Sequence, residues 1–182
     1  VLSGLQPATG YYFRVLSSTG TNAYSSSDCY FVTTNYVTPA GIFDLSNTWT
    51  FTSSNLDGVN WTASDYDDSG WMGAGPGLLW VDVRGPNPQI PVPLITQLPG
   101  NPANGGYPFI TYYFRTHFAF SNAPPSSLEC TAYIDDGAVF YLNGVEVQRI
   151  RMSPPPSVIL NSDLALAYPA SGDATSPDVF SL

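Results

Sequence analysis

The sequence contains no lysine, a single histidine (His117) and only two cysteines, Cys29 and Cys130. Its only other cations are arginines, and 5 of them against 14 Asp and Glu leave a formal net charge of -9. The basic footprint that phosphate recognition needs is missing, so nucleic acid is not an expected partner. The two cysteines lie far apart and show no CxxC or Cys/His spacing, which removes zinc and thioredoxin-like readings. A disulfide between them would have to link two separate parts of the fold, and buried free thiols are the simpler expectation. No Gly-x-Ser-x-Gly elbow accompanies His117, and no nicotinamide, nucleotide or haem motif is present. No apolar run reaches about eighteen residues, so no membrane span is expected. Val1 opens inside a β pattern, with neither an initiator Met nor a leader, and the chain is expected to be cut from a longer polypeptide.

What is present argues for a folded, all-β chain. Hydrophobic residues make up 43% and aromatic residues 14% of the sequence, far more than a disordered acidic chain carries. Tyr (12), Phe (10), Gly (16) and Pro (17) are abundant, and these favour strands and tight turns over helix interiors. No segment has a convincing helical period.

Three regions follow along the chain. Residues 1–36 read as strand, turn, strand, loop, strand, with Tyr11, Phe13 and Val15 alternating against Tyr12 and Arg14. Residues 37–41, containing Pro39 and Gly41, read as a linker. From Ile42 a second pattern begins. Asp44 to Phe51 opens a sheet, Trp49, Trp61, Trp71 and Trp80 fall in one stretch, and Arg84 to Gly106 reads as a long irregular loop. Ile110 to Phe120 alternates cleanly, with Tyr112, Phe114, Thr116, Phe118 and Phe120 on the face expected to enter the core. Leu128–Ile134, Val139–Leu142 and Val145–Ile150 read as a three-strand meander, turned by Asp135-Asp136-Gly137 and by Asn143-Gly144. Asn-Gly is a strong hairpin signal because both central residues of a type I′ turn need positive φ. No strand is expected between Ile150 and Leu182.

Residues carry two resemblances. Leu5-Gln6-Pro7-Ala8-Thr9-Gly10-Tyr11, with Val15 and the later Phe31-Val32-Thr33, resembles the second half of a fibronectin type III domain, in which a Tyr stands near a sheet corner. Asp67-Asp68-Ser69-Gly70-Trp71, Tyr112-Tyr113-Phe114-Arg115-Thr116-His117-Phe118 and the run Asp135 to Arg149 together resemble the galactose-binding-like jelly-roll modules of large secreted bacterial proteins. These resemblances imply a partial fibronectin type III-like sandwich at 1–36 and a jelly roll at 42–182 that lacks its last strands. They also imply an extracellular or cell-surface location.

The jelly-roll resemblance also implies Ca²⁺ as a cofactor, with Asp65, Asp67, Asp68, Asp135 and Asp136 as candidate oxygen ligands. The Asp-Asp-Gly turn needs no ligand to explain it, because Asp caps turns and Gly supplies positive φ. For carbohydrate, Trp80 beside the long loop is the leading candidate, with Arg84 and Tyr107 as neighbours and His117 on the face opposite the aromatic row. Most acids sit in turns, and Glu129 and Glu146 are the only glutamates, so paired-carboxylate glycosidase chemistry is not expected. Asn60-Trp61-Thr62 fits the N-glycosylation pattern. Two functions compete. One is a non-catalytic accessory module that binds polysaccharide or glycan. The other is a structural spacer or fibre subunit that pairs through sheet edges with neighbouring domains or with other copies. A binding module should expose an aromatic beside polar groups in a concavity; a spacer should bury its tryptophans and expose strand edges.

Overall fold

A computed structural model describes residues 5–6, 8–14, 16–19, 22–33, 41–42, 44–82, 85–119 and 128–182, with backbone alone at 16–19 and 22–24. The described residues are all-β: 13 short strands and one 3-10 turn, Pro102–Asn104. None of their helices is long and apolar enough to cross a membrane. The chain divides into two compact units, Val1–Gly41 and Ile42–Leu182.

In the first unit, β1 (Gly10–Phe13) pairs antiparallel with β4 (Cys29–Val32), and β2 (Leu16–Thr19) pairs antiparallel with β3 (Asn22–Ser25). The β1–β4 register sets Tyr11 opposite Phe31 and Tyr12 opposite Tyr30. Their rings meet at 5.7 Å and 4.8 Å, the cross-strand aromatic pairing that stabilises a sheet without a large core. The Tyr11 hydroxyl accepts the Gln6 N–H at 2.7 Å, and the Thr33 hydroxyl donates to the Gln6 carbonyl at 2.6 Å, so side chains on β1 and just after β4 hold the same residue. Tyr11 is half-buried as its alternation suggests, but Phe13 stays exposed. Val15 lies outside the described residues.

In the second unit, β5 (Thr48–Thr52) is the centre of a three-stranded antiparallel sheet between β6 (Gly73–Pro76) and β9 (Tyr113–Arg115). Two further strands, β7 (Leu78–Trp80) and β8 (Leu94–Gln97), run parallel; the connection 81–93 has the dozen or so residues that a parallel crossover requires. The expected irregular loop therefore contains a strand and the 3-10 turn. The hairpin of β11 (Ala138–Leu142) and β12 (Val145–Ile150) turns at Asn143-Gly144, whose φ values of 49° and 82° are the positive pair its sequence predicts.

Three expectations fail. The meander does not form: β10 (Glu129–Ala132) pairs with β13 (Asp178–Ser181), a strand the sequence reading does not contain, instead of with β11. The Phe140 and Phe180 rings meet at 5.0 Å, so β13 packs on the hairpin while pairing with β10. The long alternating run from Ile110 shortens to β9, and its buried member is Arg115 at 9% exposure, whereas Phe118 is exposed. Phe120 lies outside the described residues. Gly137 does not take positive φ; a Cβ there would stand 2.8 Å from the Met152 sulfur and 2.9 Å from the Ala165 Cβ, so close packing explains it. Among the described residues the buried hydrophobic core is small: Phe51, Leu98, Ile134 and Ala174.

Candidate functional site

Arg115 organises the region where the second resemblance's motifs meet. The register places it opposite Thr50 on β5, with its guanidinium pointing at the turn 61–68. Its Nη1 donates to the Trp61 carbonyl and, at 3.1 Å, to the Ala63 carbonyl; its Nε meets Asp68 Oδ2 at 3.3 Å. The Thr50 hydroxyl donates to the same Asp68 oxygen at 2.7 Å. The guanidinium also lies 5.5 Å from the Tyr66 ring centroid. A planar fork with several donors can gather two carbonyls and a carboxylate together, and this is why an arginine can occupy a core position on β9.

Around this anchor stand the aromatics. Trp61 packs edge-on against Tyr113 at 5.1 Å and Tyr141 at 5.4 Å, which ties β9 and β11 to the turn. Trp71 lies 6.3 Å from Trp61 and 6.1 Å from Tyr66. On the outer side of this cluster, Thr52, Ser54, Leu56, Tyr66, Asp67, Gly70 and Trp71 line an open depression of about 250 Å³. The Asp67 carboxylate accepts the Ser69 N–H at 3.0 Å, and bonding to the Ser69 hydroxyl and backbone holds its pKa below the usual carboxylate value. The Trp71 indole N–H is buried in the cluster with no acceptor, alone in this among the described side chains.

The carbohydrate candidates named from sequence stand on separate elements. Trp80 ends β7 half-buried, its carbonyl accepting the Leu98 N–H at 2.7 Å. Tyr107 is exposed after the 3-10 turn, and His117 is exposed beyond β9. Among the described residues no hydrogen bond or ring contact joins these three, and Arg84 lies outside the described residues. Cys29 and Cys130 are free thiols; Cys29 is exposed rather than buried, and partial burial pushes the Cys130 thiol up.

The candidate Ca²⁺ ligands do not fit one site. Asp68 is engaged by Arg115 and Thr50, Asp67 caps its own turn, and Asp65 is exposed. Asp135 and Asp136 belong to another cluster. There the Arg151 guanidinium reaches the carbonyls of Ile134 and Asp136 and pairs through two nitrogens with Asp178, both at 2.8 Å. Asp135 is exposed as a residue, yet its carboxyl is partly desolvated. That desolvation, with Asp136 and Asp173 beside it, pushes its pKa up to about 6. Asn87 donates to Asp173 at 2.6 Å and brings the 85–89 segment to this cluster. Among the described residues no group of three or more His, Cys, Asp or Glu side chains is placed to hold a metal ion.

Sequence reasoning missed the Tyr66–Trp71 depression. Its signal was legible: an aromatic, a capping Asp and a Gly recur within residues 66–71, a loop that projects side chains from one short arc. No family model, no curated protein and no solved structure matches the chain.

Proposed function

We propose that this chain is a non-catalytic accessory module of a secreted or cell-surface multidomain protein, and that it binds carbohydrate at the Tyr66–Trp71 depression. The observation that carries this reading is the lining itself: two aromatic rings beside the Ser54 hydroxyl and the Asp67 carboxylate, with buried Thr52 bonded to Ser54 beneath them. Aromatic faces stack on the C–H face of a sugar while short polar side chains take its hydroxyls, and the open form suits an end or an edge of a glycan. The fibronectin-like and jelly-roll readings are supported by the Tyr11–Gln6 corner bond and by the meeting of the three motifs around Arg115.

A glycan array and an insoluble-polysaccharide pull-down, run with and without EDTA, test the proposal. Retention is expected to fall about tenfold in Trp71→Ala, in line with the loss of one stacked ring, and to persist in EDTA. Retention lost in Trp80→Ala but kept in Trp71→Ala moves the site to β7; loss in EDTA restores Ca²⁺.

The spacer reading has one observation in its favour. Val158, Leu164, Leu166 and Tyr168 are each at least 65% exposed along a strand-free segment, a surface that a neighbouring domain would cover. Concentration-dependent association in sedimentation, with no glycan retained, would put it ahead.

A further inference from the structure

The charge layout around the depression points to its ligand class, and this step rests on the carbohydrate reading above. Seven residues line it, and the one charged group among them is the Asp67 carboxylate. The bonds to Ser69 keep that group ionised at neutral pH. The cation nearest by contact, Arg115, is committed: its Nε meets Asp68, its Nη1 serves two carbonyls, its side chain is 8% exposed, and its guanidinium lies 5.5 Å from the Tyr66 ring centroid. The other described arginines are committed too, Arg14 to Asp28, Arg149 to Glu146 and Arg151 to Asp178. The sequence has no lysine to add, and its net charge is -9.

A carboxylated or sulfated sugar would therefore meet the Asp67 charge, with no cation among the described residues that line the depression to pair with its own. A neutral sugar offers hydroxyl donors to Asp67 and an acceptor to the Ser54 hydroxyl, whose oxygen takes the Thr52 hydroxyl proton at 3.2 Å. We infer that the depression selects uncharged glycans and discriminates against uronate-bearing or sulfated ones. One carboxylate at about 4 Å in solvent corresponds to about fivefold in affinity, and the rest of the negative chain adds to it at low salt.

The experiment compares retention of neutral polysaccharides (a galactan, a xylan, a β-glucan) with acidic ones (polygalacturonate, heparin) at low and high salt, for the native chain and Asp67→Asn. Asn keeps an acceptor for the Ser69 N–H, so the turn is retained. Neutral glycans are expected to be held at both salt concentrations and acidic ones to be excluded. In Asp67→Asn the preference should narrow about fivefold, the share assigned to that one charge. Acidic glycans held more tightly than neutral ones, or an unchanged preference in Asp67→Asn, would overturn the selectivity while leaving carbohydrate binding intact. Retention of neither class by folded protein would overturn both.

Discussion

The chain contains the dipeptide Asp-Asp in two turns, and the structure uses the two in opposite ways. At 67–68 each carboxylate meets a complement: Asp67 caps the turn, and Asp68 receives Arg115 and Thr50. At 135–136 the arginine serves elsewhere. Arg151 takes the backbone carbonyls of the turn and pairs with Asp178, which leaves Asp135 facing Asp136 and Asp173. The first turn is an electrostatic anchor; at the second, partial desolvation above all, and then the neighbouring carboxyls, disfavour the charge on Asp135. What separates them is which oxygen atoms the nearest guanidinium reaches, a property of neighbours distant in sequence.

The largest test of this contrast is Arg115→Met. It strands Asp68 in a partly buried place and frees the carbonyls of Trp61 and Ala63, at a cost of about 3–5 kcal/mol in unfolding free energy by urea titration. Adding Asp68→Asn should recover part of that loss, because the stranded charge is then gone. A cost below about 1 kcal/mol would show that the anchor is ornamental.

The second turn depends on packing more than on charge, which Gly137→Ala examines. The new methyl would press on Met152, which can move, and on Ala165 and the Ile150 carbonyl, which cannot; a loss of about 1–3 kcal/mol is expected.

The smallest effect is the pH dependence. Asp135 is raised from 3.8 to about 6 in the fold, so the native state holds this proton more tightly than the unfolded chain does. Its contribution to stability is complete below about pH 3.8 and is lost as pH rises through about 6, with solvent screening keeping the loss small. Asp135→Asn should therefore flatten the fall in melting temperature between acidic and neutral pH, while the same substitution at Asp67 should not.

The all-β class was legible from the aromatic, Gly and Pro content, and the Asn143-Gly144 turn from two residues alone, because a type I′ turn is a local φ requirement. The strand from Ile110 was over-read. Its alternation is real, but the sequence pattern cannot show that Arg115 would find two carbonyls and a carboxylate, and those partners are what make burial of a cation tolerable. The meander was misread because β10 had a rival partner about fifty residues later, and propensity does not rank two strand pairings of similar local quality.

By itself, then, the sequence determined what short-range sterics and composition control: strands over helices, the tight Asn-Gly turn, an acidic and lysine-free surface. Only the tertiary structure decided which Asp-Asp turn is neutralised, which strand completes a sheet, and that Tyr66 and Trp71 open a depression beside Asp67. The first two depend on contacts between residues far apart in the chain and the third on β5 meeting the nearby 66–71 loop; in each, the energy of a charge or a ring is set by what surrounds it.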